Sequence, residues 1–85
     1  MLHAVCYDIS NDRRRRKIAR LLEGYGVRVQ KSVFEARLDQ KKLLSLRKKL
    51  ERRIDPELDS VRIYRICARC RESIEVIGPG TLPEP

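Results

Sequence analysis

The chain has 85 residues, enough for one hydrophobic core and too few to divide between two. Lys and Arg number 20 against 12 Asp and Glu, a formal charge of +8 that favours a polyanionic partner. No apolar run is long enough to cross a bilayer and no Trp-rich amphipathic stretch suits its surface, so nucleic acid rather than membrane is the expected partner.

Leu2 to Tyr7 reads as a nearly all-apolar strand, the pattern of a central strand covered on both faces. It lacks the basic leader and small-residue cleavage site of a secretory signal, which points to a cytoplasmic protein. Asp8 to Asp12 is a loop in which Ser10, Asn11 or Asp12 can accept the free amides of the next helix. That helix carries Ile18, Leu21, Leu22 and Tyr25 as its apolar stripe and closes at Gly24 or Gly26. A long strand is predicted from Val27 to Leu38. Its alternation changes phase, with Val27, Val29 and Val33 in one register and Phe34, Ala36 and Leu38 in the other, so a bulge or bend between Gln30 and Phe34 is required. Leu38-Asp39 opens a second helix with Leu43, Leu46, Leu50 and Ile54 on one face and mostly cations elsewhere, and Pro56 prevents its continuation. Val61 to Ile66 reads as a third strand and Ile74 to Ile77 as a fourth, joined by a turn over Cys67 to Arg71. Gly78-Pro79-Gly80 ends the domain, predicted over 1–80, and 81–85 forms a tail.

Two strand-helix-strand units with right-handed crossovers fold most economically as an α+β, ferredoxin-like βαββαβ sandwich. Its four-stranded antiparallel sheet carries both helices on one face. The bare opposite face invites a second copy of the chain or a ligand.

Cys6, Cys67 and Cys70 are an odd set, which a reducing compartment keeps as free thiols. The Cys67-Ala68-Arg69-Cys70 spacing is half of a zinc knuckle that only His3 and Cys6 could complete. The plainer reading is a pair of small buried residues beside a turn. Redox chemistry there finds no support, because nothing in the pattern starts a helix at Cys67 after the strand. His3, the only histidine, sits within a strand as a packed edge residue and leaves the serines without a catalytic partner.

Asp8 stands where the first strand meets its loop, a position at which a carboxylate is exposed yet rigidly held. It could cap the turn or the next helix. It could also bind Mg2+ if a two-fold axis brings a second Asp8 beside it. Arg13, Arg14, Arg15, Arg16 and Lys17 are consecutive cations near a helix start, where they oppose the macrodipole, so phosphate contacts are expected to repay them. Arg28, Lys31 and Arg37 extend the positive surface along the next strand. With 3 Tyr, 1 Phe and no Trp, there is little for a base-stacking platform, so duplex recognition through phosphates fits better than single-strand reading. Phe34 is expected in the core or at an interface.

Tyr7-Asp8-Ile9-Ser10 at a strand end, an arginine-rich helix, and Gly26-Val27-Arg28-Val29-Gln30-Lys31-Ser32-Val33-Phe34-Glu35 together resemble the CRISPR-associated Cas2 family. Ile63-Tyr64-Arg65-Ile66 and Ile74-Glu75-Val76-Ile77-Gly78 extend the likeness over nearly the whole chain. The resemblance implies a homodimer with facing sheets, whose C-terminal segment crosses to the partner's sheet edge. It places the metal-binding position at Asp8 and the catalytic positions at Asp8 and the adjacent Tyr7, with one Mg2+ per dimer between the two Asp8 copies. Basic and aromatic site positions fall near Arg15, Arg28 and Phe34, with Lys17 near a further position often held by Arg. The family's roles are a bridge between Cas integrase dimers during spacer acquisition and a Mg2+-dependent endonuclease on RNA or duplex DNA. The bridge is the favoured expectation, with duplex DNA and RNA both open as ligands. A ribonuclease toxin of related fold is a third.

Overall fold

A computed structural model describes residues 1–79. The expected tail, 81–85, lies outside the described residues, as does Gly80, the last residue of the expected domain. The elements run β1 (Leu2–Asp8), α1 (Asp12–Glu23), β2 (Gly26–Gln30), β3 (Val33–Arg37), α2 (Gln40–Arg53), β4 (Ser60–Ile66) and α3 (Ala68–Glu72). The strands form one antiparallel sheet in the order β2-β3-β1-β4. This is the expected α+β, ferredoxin-like arrangement, with a short third helix added.

Alternation along β1 sorts its side chains. Val5 and Tyr7 join Phe34 and Ala36 of β3, Ile18, Ala19 and Leu22 of α1, and Leu46 and Leu50 of α2 in one buried cluster. Both long helices therefore cover the same face. Asn11 starts α1 by accepting the Arg14 amide at 2.9 Å, and Asp39 starts α2 by accepting the Lys42 amide at 2.7 Å. Of the three caps open to α1, Asn11 is the one used, which frees Asp8 from capping that helix. His3 is buried at 3% exposure, but on β1, which lies between β3 and β4 and is not an edge strand.

The predicted long strand is two strands. Gln30 pairs with Val33, so the chain reverses at Lys31-Ser32, and the ladder is irregular between Arg28 and Gln30. The phase change in the sequence marks this hairpin, displaced from a simple bend. The turn hides because tight two-residue hairpins favour Asn or Gly at positive φ, and the only positive φ among the described residues is at Gly78. The bulge at Val29 supplies the twist instead. Gly26 is needed for contact: a Cβ there would lie 2.2 Å from the Glu35 carbonyl oxygen and 2.7 Å from the Ala36 Cβ.

The second correction lies after β4. Cys67 to Arg71 is not a turn leading to a fourth predicted strand; Cys67 caps α3, and residues 74–79 form no strand within this chain. The helix carries the chain off the sheet, and Val76 and Ile77 are left 48% and 96% exposed. Cys67 and Cys70 are exposed, not buried as small hydrophobes.

Candidate nucleic-acid interface

The end of β1, the start of α1 and the β2–β3 turn converge on an open cleft of about 540 Å3. Its walls carry Tyr7, Asp8 and Ile9 from β1 and its loop, Arg15, Arg16 and Ala19 from α1, and Arg28, Lys31 and Ser32 from the hairpin. Cations from α1 and from the β2–β3 hairpin, distant in sequence, thus line one cleft with Asp8. No alternation or helical stripe would have grouped them.

Each wall is braced. Tyr7 is buried; its hydroxyl donates to the Lys31 carbonyl at 3.0 Å and accepts from Arg28 Nη2 at 3.4 Å. The Tyr7 amide also donates to the Ser32 carbonyl at 3.0 Å, tying β1 to the hairpin turn. Arg28 is exposed, yet its guanidinium carbon stands 5.2 Å from the centre of the Phe34 ring. Phe34 itself is fully buried and stacks on Tyr7 at 6.3 Å. It supports Arg28 from beneath and offers no face to a base.

On α1 the run of cations divides by role. Arg15 donates to the Asp12 carboxylate and, through Nη1, to the Ile9 and Ser10 carbonyls at 3.3 and 3.4 Å, which holds its guanidinium over the loop. Arg16 donates to the Asp12 carbonyl at 3.4 Å and lines the cleft. Arg14 turns away. Its Nε and Nη2 donate to the two oxygens of Asp59 at 2.7 and 3.2 Å, and Asp59 also accepts the Asp55 amide at 2.8 Å. The Arg14 hydrogen bond, followed by the Asp55 amide, holds the Asp59 carboxyl below the usual carboxylate range. Arg13 and Lys17 are exposed on α1 but do not line the cleft. The sequence reading missed Asp59, whose only trace is its place just before the third strand.

Asp8 is exposed at the end of β1, and its carboxylate has no hydrogen bond or ion pair among the described residues. It shares the parity of Ala4 and Cys6, the sheet face opposite the helices. Tyr64, paired with Ala4, and Val27 on β2 are 49% and 59% exposed on that same face. A hard octahedral cation needs several oxygen ligands. Among the described residues no three His, Cys, Asp or Glu side chains come together.

Fold and cleft define a small ferredoxin-like protein with a cationic strand-end groove. The model of the family described as CRISPR associated protein Cas2 matches residues 1–74. The chain belongs to that family. It is 58% identical over 85 residues to the CRISPR-associated endoribonuclease Cas2 1 of Chloroflexus aurantiacus, covering 99% of this chain and 91% of that one. The crystal structure of Streptococcus pyogenes Cas2 at pH 6.5 superposes with a TM-score of 0.81 at 31% identity, covering 92% of this chain and 100% of that one. A chain of a partial Cas6-RT-Cas1–Cas2 complex superposes with a TM-score of 0.62 at 27% identity, covering 89% of each. No helix among the described residues is long and apolar enough to cross a membrane.

Proposed function

We propose that the protein is a homodimeric adaptor of CRISPR adaptation that grips the sugar-phosphate backbone of duplex nucleic acid and bridges Cas integrase dimers. The observation that carries this reading is the cleft, whose lining brings together Arg15, Arg16, Arg28 and Lys31 at the end of the strand that carries Asp8. Such a groove binds phosphate by charge and by guanidinium forks without needing base contacts. The half-exposed Val27 and Tyr64 on the helix-free face favour a second copy there, because an apolar sheet face gains burial from a partner. Residues 74–79 then suit addition to the partner's sheet edge, since β2 and β4 are both edge strands. A complex whose name includes both Cas1 and Cas2 contains a similar chain, which supports integrase partners. Duplex DNA and RNA share the backbone chemistry this cleft would grip, and the cytoplasm is the expected compartment.

Asp8→Ala tests this role. The substituted protein is expected to keep duplex binding, integrase association and spacer insertion in cells, and loss of all three overturns the adaptor reading. Replacing both Arg28 and Lys31 by Glu is expected to abolish duplex binding while leaving the fold intact by circular dichroism.

A second reading, a Mg2+-dependent endonuclease on RNA or DNA, is favoured by the exposed, unpartnered Asp8 and by the name of the Chloroflexus relative. Asp8 from each copy would hold one ion, whose chemistry is to polarise a phosphoryl oxygen and acidify a bound water. Tyr7 in this reading is a positioning residue, since Arg28 and the Lys31 carbonyl already engage its hydroxyl. Cleavage that stops with chelator and with Asp8→Ala supports it; cleavage that survives the substitution refutes it.

A further inference from the structure

We propose that Cys67 and Cys70 form a redox-sensitive dithiol that closes into an intrachain disulfide when a low-molecular-weight disulfide, such as oxidised glutathione, reacts with it. Cys67 is the N-cap of α3, with extended backbone at φ −69° and ψ 166°, and Cys70 is the third helical residue. Those two positions meet in a capping box, where the cap side chain folds over the first turn toward the backbone of the third residue. The Arg71 amide donates to the Cys67 carbonyl at 2.9 Å, which fixes that turn. One turn of helix keeps i and i+3 side chains adjacent, and a disulfide tolerates Cα separations of about 4.4–6.8 Å. Closure therefore needs side-chain rotation and little backbone movement.

Both thiols are free and exposed, so a small oxidant reaches them; Cys6 is free but half-buried in β1. A five-residue helix contributes little dipole, and the reactive unit is the thiol pair itself. The two sulfurs are not equivalent. The Cys67 side chain makes no full cap hydrogen bond, but the Cys70 amide, and after it the Cys70 thiol, lie close enough to favour its thiolate and pull its pKa below the usual thiol value. The same thiol–thiol contact pushes Cys70 up, which keeps its proton on. Cys67 is thus the attacking sulfur and Cys70 the resolving one.

The electrons balance over two exchanges. The Cys67 thiolate attacks one sulfur of the oxidant; a Cys67–glutathione bond forms, the oxidant's S–S bond breaks, and the first glutathione leaves and takes up a proton. Cys70 then loses its proton and attacks the Cys67 sulfur. The Cys67–Cys70 bond forms, the mixed disulfide breaks, and a second reduced glutathione leaves. Two protein thiols are oxidised by two electrons as one disulfide becomes two thiols. The new bond pins the junction between β4 and residues 74–79, the segment that leaves Val76 and Ile77 exposed.

Alkylation of the full chain in glutathione buffers of increasing oxidation, followed by mass spectrometry, tests this directly. Wild-type protein is expected to lose the Cys67 and Cys70 thiols together, in monomeric chains on a non-reducing gel, while Cys6 remains alkylatable. Cys70→Ser is expected to hold one glutathione on Cys67, and Cys67→Ser to acquire one severalfold more slowly. The inference is overturned if Cys67 and Cys70 stay alkylatable in every buffer. It is equally overturned if wild-type chains retain two glutathiones or link between chains. The wild-type thiol count decides the matter even where a variant folds poorly.

Discussion

Arg28→Gln removes one cation from the cleft while leaving a side chain of similar reach. Each phosphate neutralised on duplex DNA contributes about −0.9 to the slope of log affinity against log salt. The cleft holds Arg15, Arg16, Arg28 and Lys31. Full engagement of this set gives a slope of about −3.6 per chain and about −7 for two copies on one duplex. The substitution is expected to flatten the dimer's slope by about 2, equivalent to losing one phosphate contact on each chain. It also removes the guanidinium from above Phe34, worth about 0.5–1 kcal/mol at an exposed site, so circular dichroism and a urea curve must confirm the fold. Fluorescence anisotropy of a labelled duplex, titrated with KCl, reads the slope. Arg28→Lys should restore the slope but not the full affinity, because it keeps the charge and loses the fork. Arg53→Gln is the control, since that guanidinium donates to the Lys49 carbonyl at 3.0 Å at the far end of α2. A slope unchanged by Arg28→Gln, or flattened equally by Arg53→Gln, refutes the assignment of phosphate binding to this cleft.

Three further outcomes follow from the packing. Gly26→Ala drives a methyl into the Glu35 carbonyl and Ala36, so β2 must peel from β3; a urea midpoint lowered by the equivalent of about 1–3 kcal/mol or more is expected, and an unchanged midpoint contradicts the register. Burial pushes the His3 imidazole below its ordinary value of 6.5, with Nδ1 engaged by the Met1 carbonyl and Nε2 buried without a hydrogen-bond partner. The unfolded chain therefore binds the proton more readily, so stability is expected to hold above that unfolded value and to fall as pH drops through it, down to the lower folded value. His3→Leu should flatten urea midpoints measured across that window, and a wild-type curve already flat there refutes the assignment. Asp59→Ala strands Arg14 and is expected to lower the thermal midpoint without altering the salt slope; a changed slope with an unchanged midpoint would move Arg14 into the ligand-binding set.

The sequence pattern revealed those elements whose periodicity reports their burial. The stripe of Ile18 and Leu22 and that of Leu46 and Leu50 became the two core-facing helices, and Leu2 to Tyr7 became the central strand. What stayed hidden has physical causes. Lys31-Ser32 reverses the chain without the Gly or Asn that usually announces a hairpin, so β2 and β3 read as one strand with a fault. Ile74 to Ile77 has strand composition, but a strand needs a neighbour, and its sequence cannot say that α3 carries it off its own sheet. Cys67 escaped notice as a cap because cysteine is not a favoured capping residue. For the cleft, Asp8, Tyr7, Arg15, Arg16, Arg28 and Lys31 were legible as candidates, and the fold gathers them. Arg14 was indistinguishable in sequence from its neighbours, because only the fold places Asp59 against it.

Sedimentation velocity of the full chain with a labelled duplex, at physiological ionic strength and again at high salt, tests the proposed role most directly. A particle containing two chains per duplex is predicted, one that releases the duplex as salt rises. Single chains sedimenting apart from an unshifted duplex at every salt concentration would contradict it.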